Sequence, residues 1–162
     1  MISLHEPTLI GKEKNYLTQC ITTNWIATSG KFIDLFEKKI CNYTNSKHAI
    51  AVNSGTSALH ISLLLSNIKP GDEVIVPTVS FIAPINAINY CKAKPIFMDV
   101  DEFLNIDVKK TISFLENETI TKKNITYNKK TKKKISAILV VHVFGNLANL
   151  KDLISICKKK KN

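Results

Sequence analysis

The chain has 162 residues, an apolar fraction of 44%, a charged fraction of 22% and a formal net charge of +10. It is long enough for one domain with a core and too apolar for a disordered chain. Lysine is the only strongly basic residue, and the absence of arginine argues against a sequence-specific nucleic-acid reader.

Ile10 to Asn24 predicts a first helix, with Tyr16, Leu17 and Ile21 at helical spacing. Residues 24–30 break it, and Ser29 is a candidate cap for a second helix carrying Phe32, Leu35, Phe36 and Ile40 as one stripe. A strand is expected at 48–52, followed by Asn53-Ser54-Gly55-Thr56-Ser57 and a helix to about Asn67. Lys69-Pro70-Gly71-Asp72 reads as a turn, Glu73 to Pro77 as a strand and Ser80 to Tyr90 as a helix. Lys94 to Val100 predicts another strand, and Asp107 starts a helix to about Glu116. Residues 117–134 are lysine-rich with little core-forming potential and read as an exposed insertion. Ser136 to Val143 predicts a strand buried on both faces, and Asn149 to Lys160 a last helix. The expected organisation is a helical segment, 1–46, before an α/β portion, 47–162, with a mostly parallel sheet and flanking helices.

Cys20, Cys41, Cys91 and Cys157 are too scattered for a zinc site or a disulfide framework, which fits a reducing cytoplasm. No apolar run approaches the ~20 residues of a membrane span, and arginine is absent, so neither a membrane nor a nucleic acid is the expected partner.

The 53–57 turn carries the most chemistry. Ligands of parallel sheets sit beyond the carboxyl ends of the strands. A helix that opens there offers unpaired amides and a partial positive charge. Gly55 permits a close backbone approach, and Thr56 and Ser57 add hydroxyls, so the turn suits a phosphate. The competing reading is that Ser54 or Thr56 merely caps the helix. The chain contains neither G-x-x-x-x-G-K-[ST] nor G-x-G-x-x-G, and Ser57 lies outside a G-x-S-x-G elbow. Phe81 could cover a flat ring or belong to the core, and His142 ends a strand as either a structural or a functional group.

Six segments in register are similar to one known family. They are 24–30 (NWIATSG) followed by Phe36-Glu37, 53–60 (NSGTSALH), 70–77 (PGDEVIVP), 80–83 (SFIA), 93–101 (AKPIFMDVD) and 141–145 (VHVFG). Their order resembles the DegT/DnrJ/EryC1/StrS sugar-nucleotide aminotransferases, which use pyridoxal 5'-phosphate. Leu4-His5-Glu6-Pro7 and Asn128-Lys129-Lys130-Thr131 resemble the branch that makes 4-amino sugars for legionaminic acid or bacillosamine.

The resemblance implies the aspartate-aminotransferase (fold type I) large domain and a homodimer in the full-length family. It implies that Gly55, Thr56 and Ser57 bind the cofactor phosphate, that Phe81 stacks on its ring and that His142 lies near the ring or the substrate. It implies that Trp25, Ser29 and Gly30 lie near a UDP-linked 4-keto-6-deoxy sugar, with glutamate as amino donor. The family's ring-facing carboxylate and Schiff-base lysine match segments beyond residue 162, so the expectation is an N-terminal portion, inactive alone, arising from a natural truncation, a frameshift or a partial gene model. The alternatives are a phosphate- or nucleotide-binding module without catalysis and a basic nucleic-acid-binding protein using the 122–134 lysines.

Overall fold

A computed structural model describes residues 6–160. Leu4 and His5 of the quoted motifs lie outside the described residues. The chain divides into two compact units, Met1–Ala51 and Val52–Asn162.

The first unit holds α1 (Glu13–Thr22) and α2 (Lys31–Thr44). The apolar stripes bring the rings of Tyr16 and Phe32 to 4.8 Å between centroids. Neither helix buries a residue. The helix predicted from Ile10 starts later because Gly11 precedes it and the Glu13 carboxylate takes the Gly11 N–H at 2.8 Å. The strand expected at 48–52 is absent. Its alternation lacks a ladder partner among the described residues, and the Ala51 N–H goes instead to the Glu37 carboxylate at 2.8 Å. A strand exists only where a neighbour takes its backbone groups.

The second unit is a layered α/β structure. Its elements are α3 (Gly55–Leu65), β1 (Glu73–Pro77), α4 (Ile82–Tyr90), β2 (Lys94–Met98), α5 (Val108–Asn117), β3 (Thr119–Lys122), β4 (Ile125–Asn128), β5 (Ile135–Ile138) and α6 (Leu150–Lys159). The main sheet has the order β2-β1-β5, with both pairings parallel. The central strand β1 is buried along its whole length. Its alternation splits the core in two. Val74 and Val76 pack with Leu63, Ala87 and Ile88 of α3 and α4. Ile75 packs on the other face with Leu115 of α5 and Leu153 and Ile156 of α6.

The run from Ser136 to Val143 is not the doubly buried strand. Its ladder is confined to Ile135–Ile138, half-buried at the sheet edge, and one further bond runs from Leu139 N–H to the Ile75 carbonyl at 2.8 Å. Apolarity alone does not tell a central strand from an edge strand; neighbours do.

Residues 117–134 carry exposed lysines, and β3 and β4 within them pair as a hairpin. Lys123 and Asn124 turn it with φ of 49° and 60°, the left-handed pair a two-residue hairpin needs. Thr119 and Asn128 are buried and anchor it, and the Asn128 amide donates to the Glu73 carboxylate at 3.0 Å.

Asp72 ties the start of β1 to β5. Its carboxylate accepts from the Lys69 N–H at 3.1 Å, from the Ser136 hydroxyl and from the Lys134 ammonium at 3.4 Å. Asp72→Ala strands these donors in a site 8% exposed. The expected cost is about 1–3 kcal/mol, read as a lowered urea midpoint with an unchanged slope.

Candidate functional site

The carboxyl ends of β1, β2 and β5 lead into 78–81, 99–107 and 139–145. The Thr78 N–H donates to the Met98 carbonyl at 2.9 Å and so binds the first of these loops across to β2. Phe81 precedes α4 as its N-cap in extended backbone and is 88% exposed, so it is not a core residue of this chain.

Thr56 and Ser57 lie in the first turn of α3, which packs on α4, where His60 and Tyr90 meet edge to face at 5.5 Å. Ser54 caps α3, its hydroxyl taking the Ser57 N–H at 3.1 Å and lying 3.0 Å from the Ser57 hydroxyl. The capping reading therefore holds for Ser54. It leaves the Gly55 and Thr56 amides and the Thr56 hydroxyl without acceptors or donors among the described residues. A Cβ built on Gly55 meets nothing within 4 Å. The glycine therefore borders open space, and nothing in this chain's own packing demands it. Unpaired donors beside a space of that kind fit a phosphate group.

His142 stands before the short helical turn Val143–Gly145, and its Nδ1 accepts the Ala148 N–H at 3.1 Å. That bond fixes the ring and, in the neutral imidazole, places the proton on Nε2. Asn105, which motif reading missed, secures the same segment. It is 2% exposed, and its Oδ1 accepts the Val143 N–H at 3.2 Å. Burial is the only signal that singles it out, because an asparagine in a polar turn is unremarkable in sequence.

Asp99 and Asp101 shape turns. Asp99 takes the Val100 N–H at 2.9 Å, and one Asp101 oxygen takes the N–H groups of Phe103 and Asn105. Asp107 caps α5 through the Lys110 N–H at 2.9 Å. The Lys110 ammonium bonds the Asp99 carboxylate and holds it below the usual carboxylate range, while Asp99 raises Lys110. A lowered carboxylate stabilises the fold above its unfolded value and loses that contribution as pH falls through the folded value; the raised lysine loses its contribution only as pH rises through its own. Both groups are solvent-exposed, so the pair adds little to stability. Lys110→Met is expected to return the Asp99 titration toward the ordinary range, read by carboxyl NMR.

In the first unit, the structure brings Trp25, Ser29 and Gly30 together. The Trp25 indole donates to the Ser29 carbonyl at 2.6 Å and lies over Gly30. Gly30 has a φ of 137°, and a Cβ there would sit 2.1 Å from the indole nitrogen, so this position requires glycine. Gly30, rather than the expected Ser29, is the residue that caps α2. These residues border a cavity of about 350 Å³ that Gln19 and Cys20 also line.

A parallel sheet covered by helices, with its loops at the carboxyl ends, is the architecture of a portion of fold type I aminotransferases. Residues 7–161 match the DegT/DnrJ/EryC1/StrS aminotransferase family, and the chain belongs to it. That is a family of pyridoxal-phosphate-dependent enzymes. The chain is 36% identical to the GDP-perosamine synthase of Caulobacter vibrioides over 98% of its own length and 38% of that protein's. Among solved structures, it is similar to a DegT DnrJ EryC1 StrS aminotransferase from Brucella abortus, with a TM-score of 0.79, 26% identity and coverage of 91% of this chain and 37% of the other. It is also similar to NtdA from Bacillus subtilis with bound cofactor PMP, with a TM-score of 0.73, 29% identity and coverage of 91% and 30%. The chain thus spans well under half the length of the relatives it matches.

Proposed function

We propose that this chain forms the phosphate-holding part of a sugar-nucleotide aminotransferase. The observation that carries this reading is the start of α3, where the Gly55 and Thr56 amides and the Thr56 hydroxyl have no partner among the described residues and a Cβ on Gly55 would meet nothing within 4 Å. In this reading Gly55, Thr56 and Ser57 bind the phosphate of pyridoxal 5'-phosphate, whose ring supplies an electron sink when bound. Phe81 offers its exposed face to the ring and fixes the ring plane. His142, oriented through Nδ1, borders the ring or the substrate. The loop from Trp25 to Gly30 contacts the sugar nucleotide. The ring-facing carboxylate and the reactive lysine belong to the remaining length of a family-sized chain, in which two copies pair.

The proposed reaction moves an amino group from glutamate to a UDP-linked 4-keto-6-deoxy sugar in the cytoplasm. Motif 128–131 (NKKT) supports the legionaminic acid or bacillosamine branch. Relatives that carry the names of GDP-, UDP- and dTDP-linked reactions make the nucleotide the point to test.

A family-length chain containing these residues, supplied with glutamate, should aminate the UDP-linked ketosugar faster than the GDP-linked one. The reverse order would remove the UDP assignment and leave the aminotransferase reading intact. The 162 residues alone are expected to bind pyridoxal 5'-phosphate reversibly and to transfer no amino group. Turnover by this chain alone would overturn that division of labour.

A further inference from the structure

The hairpin of β3 and β4 is built inside out. Strand pairing puts Thr119 opposite Asn128 and Thr121 opposite Thr126 on one face, and Ile120 opposite Tyr127 and Lys122 opposite Ile125 on the other. The polar face is turned inward. Thr119 and Asn128 are buried there, the Thr119 hydroxyl donates to the Leu115 carbonyl of α5, and the Thr126 hydroxyl donates to the Lys160 carbonyl just after α6. On the other face Ile120 is 43% exposed and Lys122 is exposed beside it, while Ile125 and Tyr127 are half-buried. Half-buried antiparallel strands ordinarily point apolar residues in and polar ones out, and this hairpin puts Ile120 on the side away from its buried threonine and asparagine.

Its surroundings define the partner's charge. Ile120, Ile125, Tyr127 and Asn128 line a concavity of about 580 Å³ together with Lys122, Lys123, Lys129 and Lys132, and no carboxylate lines it. Lys129 reaches the Asn117 carbonyl, and the other three ammonium groups make no hydrogen bond or ion pair among the described residues. Four cations around a small apolar floor complement a surface that is both anionic and apolar just beneath. A bilayer of anionic lipid has that profile. Long lysine stems reach phosphates while isoleucine and tyrosine enter the headgroup boundary. Single-stranded nucleic acid suits the face less well, because one aromatic ring makes no stacking platform and arginine is absent.

We propose that the outer face of the β3–β4 hairpin docks this protein on anionic membrane surfaces. The docking is peripheral and reversible, and it is independent of the cofactor reading.

The test is co-sedimentation of the 162-residue chain with phosphatidylcholine vesicles and with vesicles of equal parts phosphatidylcholine and phosphatidylglycerol. Binding is expected only to the anionic vesicles and should weaken as salt rises. K122E/K129E is expected to lower the partition at least about tenfold, and Ile120→Ser to lower it without abolishing the salt dependence. Phe103→Ser, an exposed apolar change outside the hairpin, should leave it unaltered. Circular dichroism should show all three variants folded. Equal binding to uncharged vesicles, indifference to K122E/K129E, tighter binding to polyuridylate at the same salt, or a dimer lost in Ile120→Ser without lipid binding would each overturn the proposal.

Discussion

Ile75→Ala is expected to destabilise the Val52–Asn162 unit by about 2–5 kcal/mol, the largest effect of any single change considered. Ile75 is fully buried in the central strand and packs with Met98, Ile106, Leu115 and Ile135. Truncation removes transfer free energy and leaves a cavity that two parallel neighbours and two helices cannot close without breaking their own packing. A domain of this size has a total stability of roughly 5–15 kcal/mol, so one substitution removes a large share. Urea unfolding followed by circular dichroism reads it. Phe81→Ala is the matched control. That ring is 88% exposed, and its loss should move the midpoint little. An Ile75→Ala protein with an unchanged midpoint would contradict the buried placement of Ile75 between the sheet and its helices.

The second large effect concerns the start of α3. Gly55→Val should leave the fold intact, because its Cβ points into open space and Gly55 is not held at a positive φ. The same side chain fills the space that the proposed phosphate occupies, so affinity for pyridoxal 5'-phosphate should fall by at least about tenfold. Thr56→Val should act in the same direction by removing one hydroxyl bond to a charged group, about 1.5–3 kcal/mol. Equilibrium dialysis of the folded chain, with inorganic phosphate as competitor, measures both. Unaltered binding in both variants would dismiss the α3 cradle, whatever the family.

Most of the second unit was legible residue by residue. Glu73 to Pro77 reads as a strand because three β-branched residues, Val74, Ile75 and Val76, lie between a Pro-Gly-Asp turn and a proline, and the structure gives those bounds. Asp107 reads as the start of a helix because a carboxylate there can take an amide of the first turn, as it does from Lys110. The 48–52 strand and the long 136–143 strand misled for one shared reason. Both have the right residues, but a ladder is a property of two chains side by side, and the second side is partly or wholly missing among the described residues.

By itself the sequence determined the six helices, the strands β1 and β2, the anion-friendly composition of the 53–57 turn and, through six motifs in register, the family. These are local properties, set by side-chain type, spacing and turn chemistry within a few residues. The three-dimensional arrangement decided which strand is central, that Ser54 rather than Thr56 caps α3, that Gly30 must be glycine beneath Trp25, and that Asn105 holds the segment after His142. It also decided which face of the lysine-rich hairpin looks outward. Each of these depends on what a residue meets across the fold, and burial and hydrogen bonding between distant segments leave no trace in the spacing of one chain.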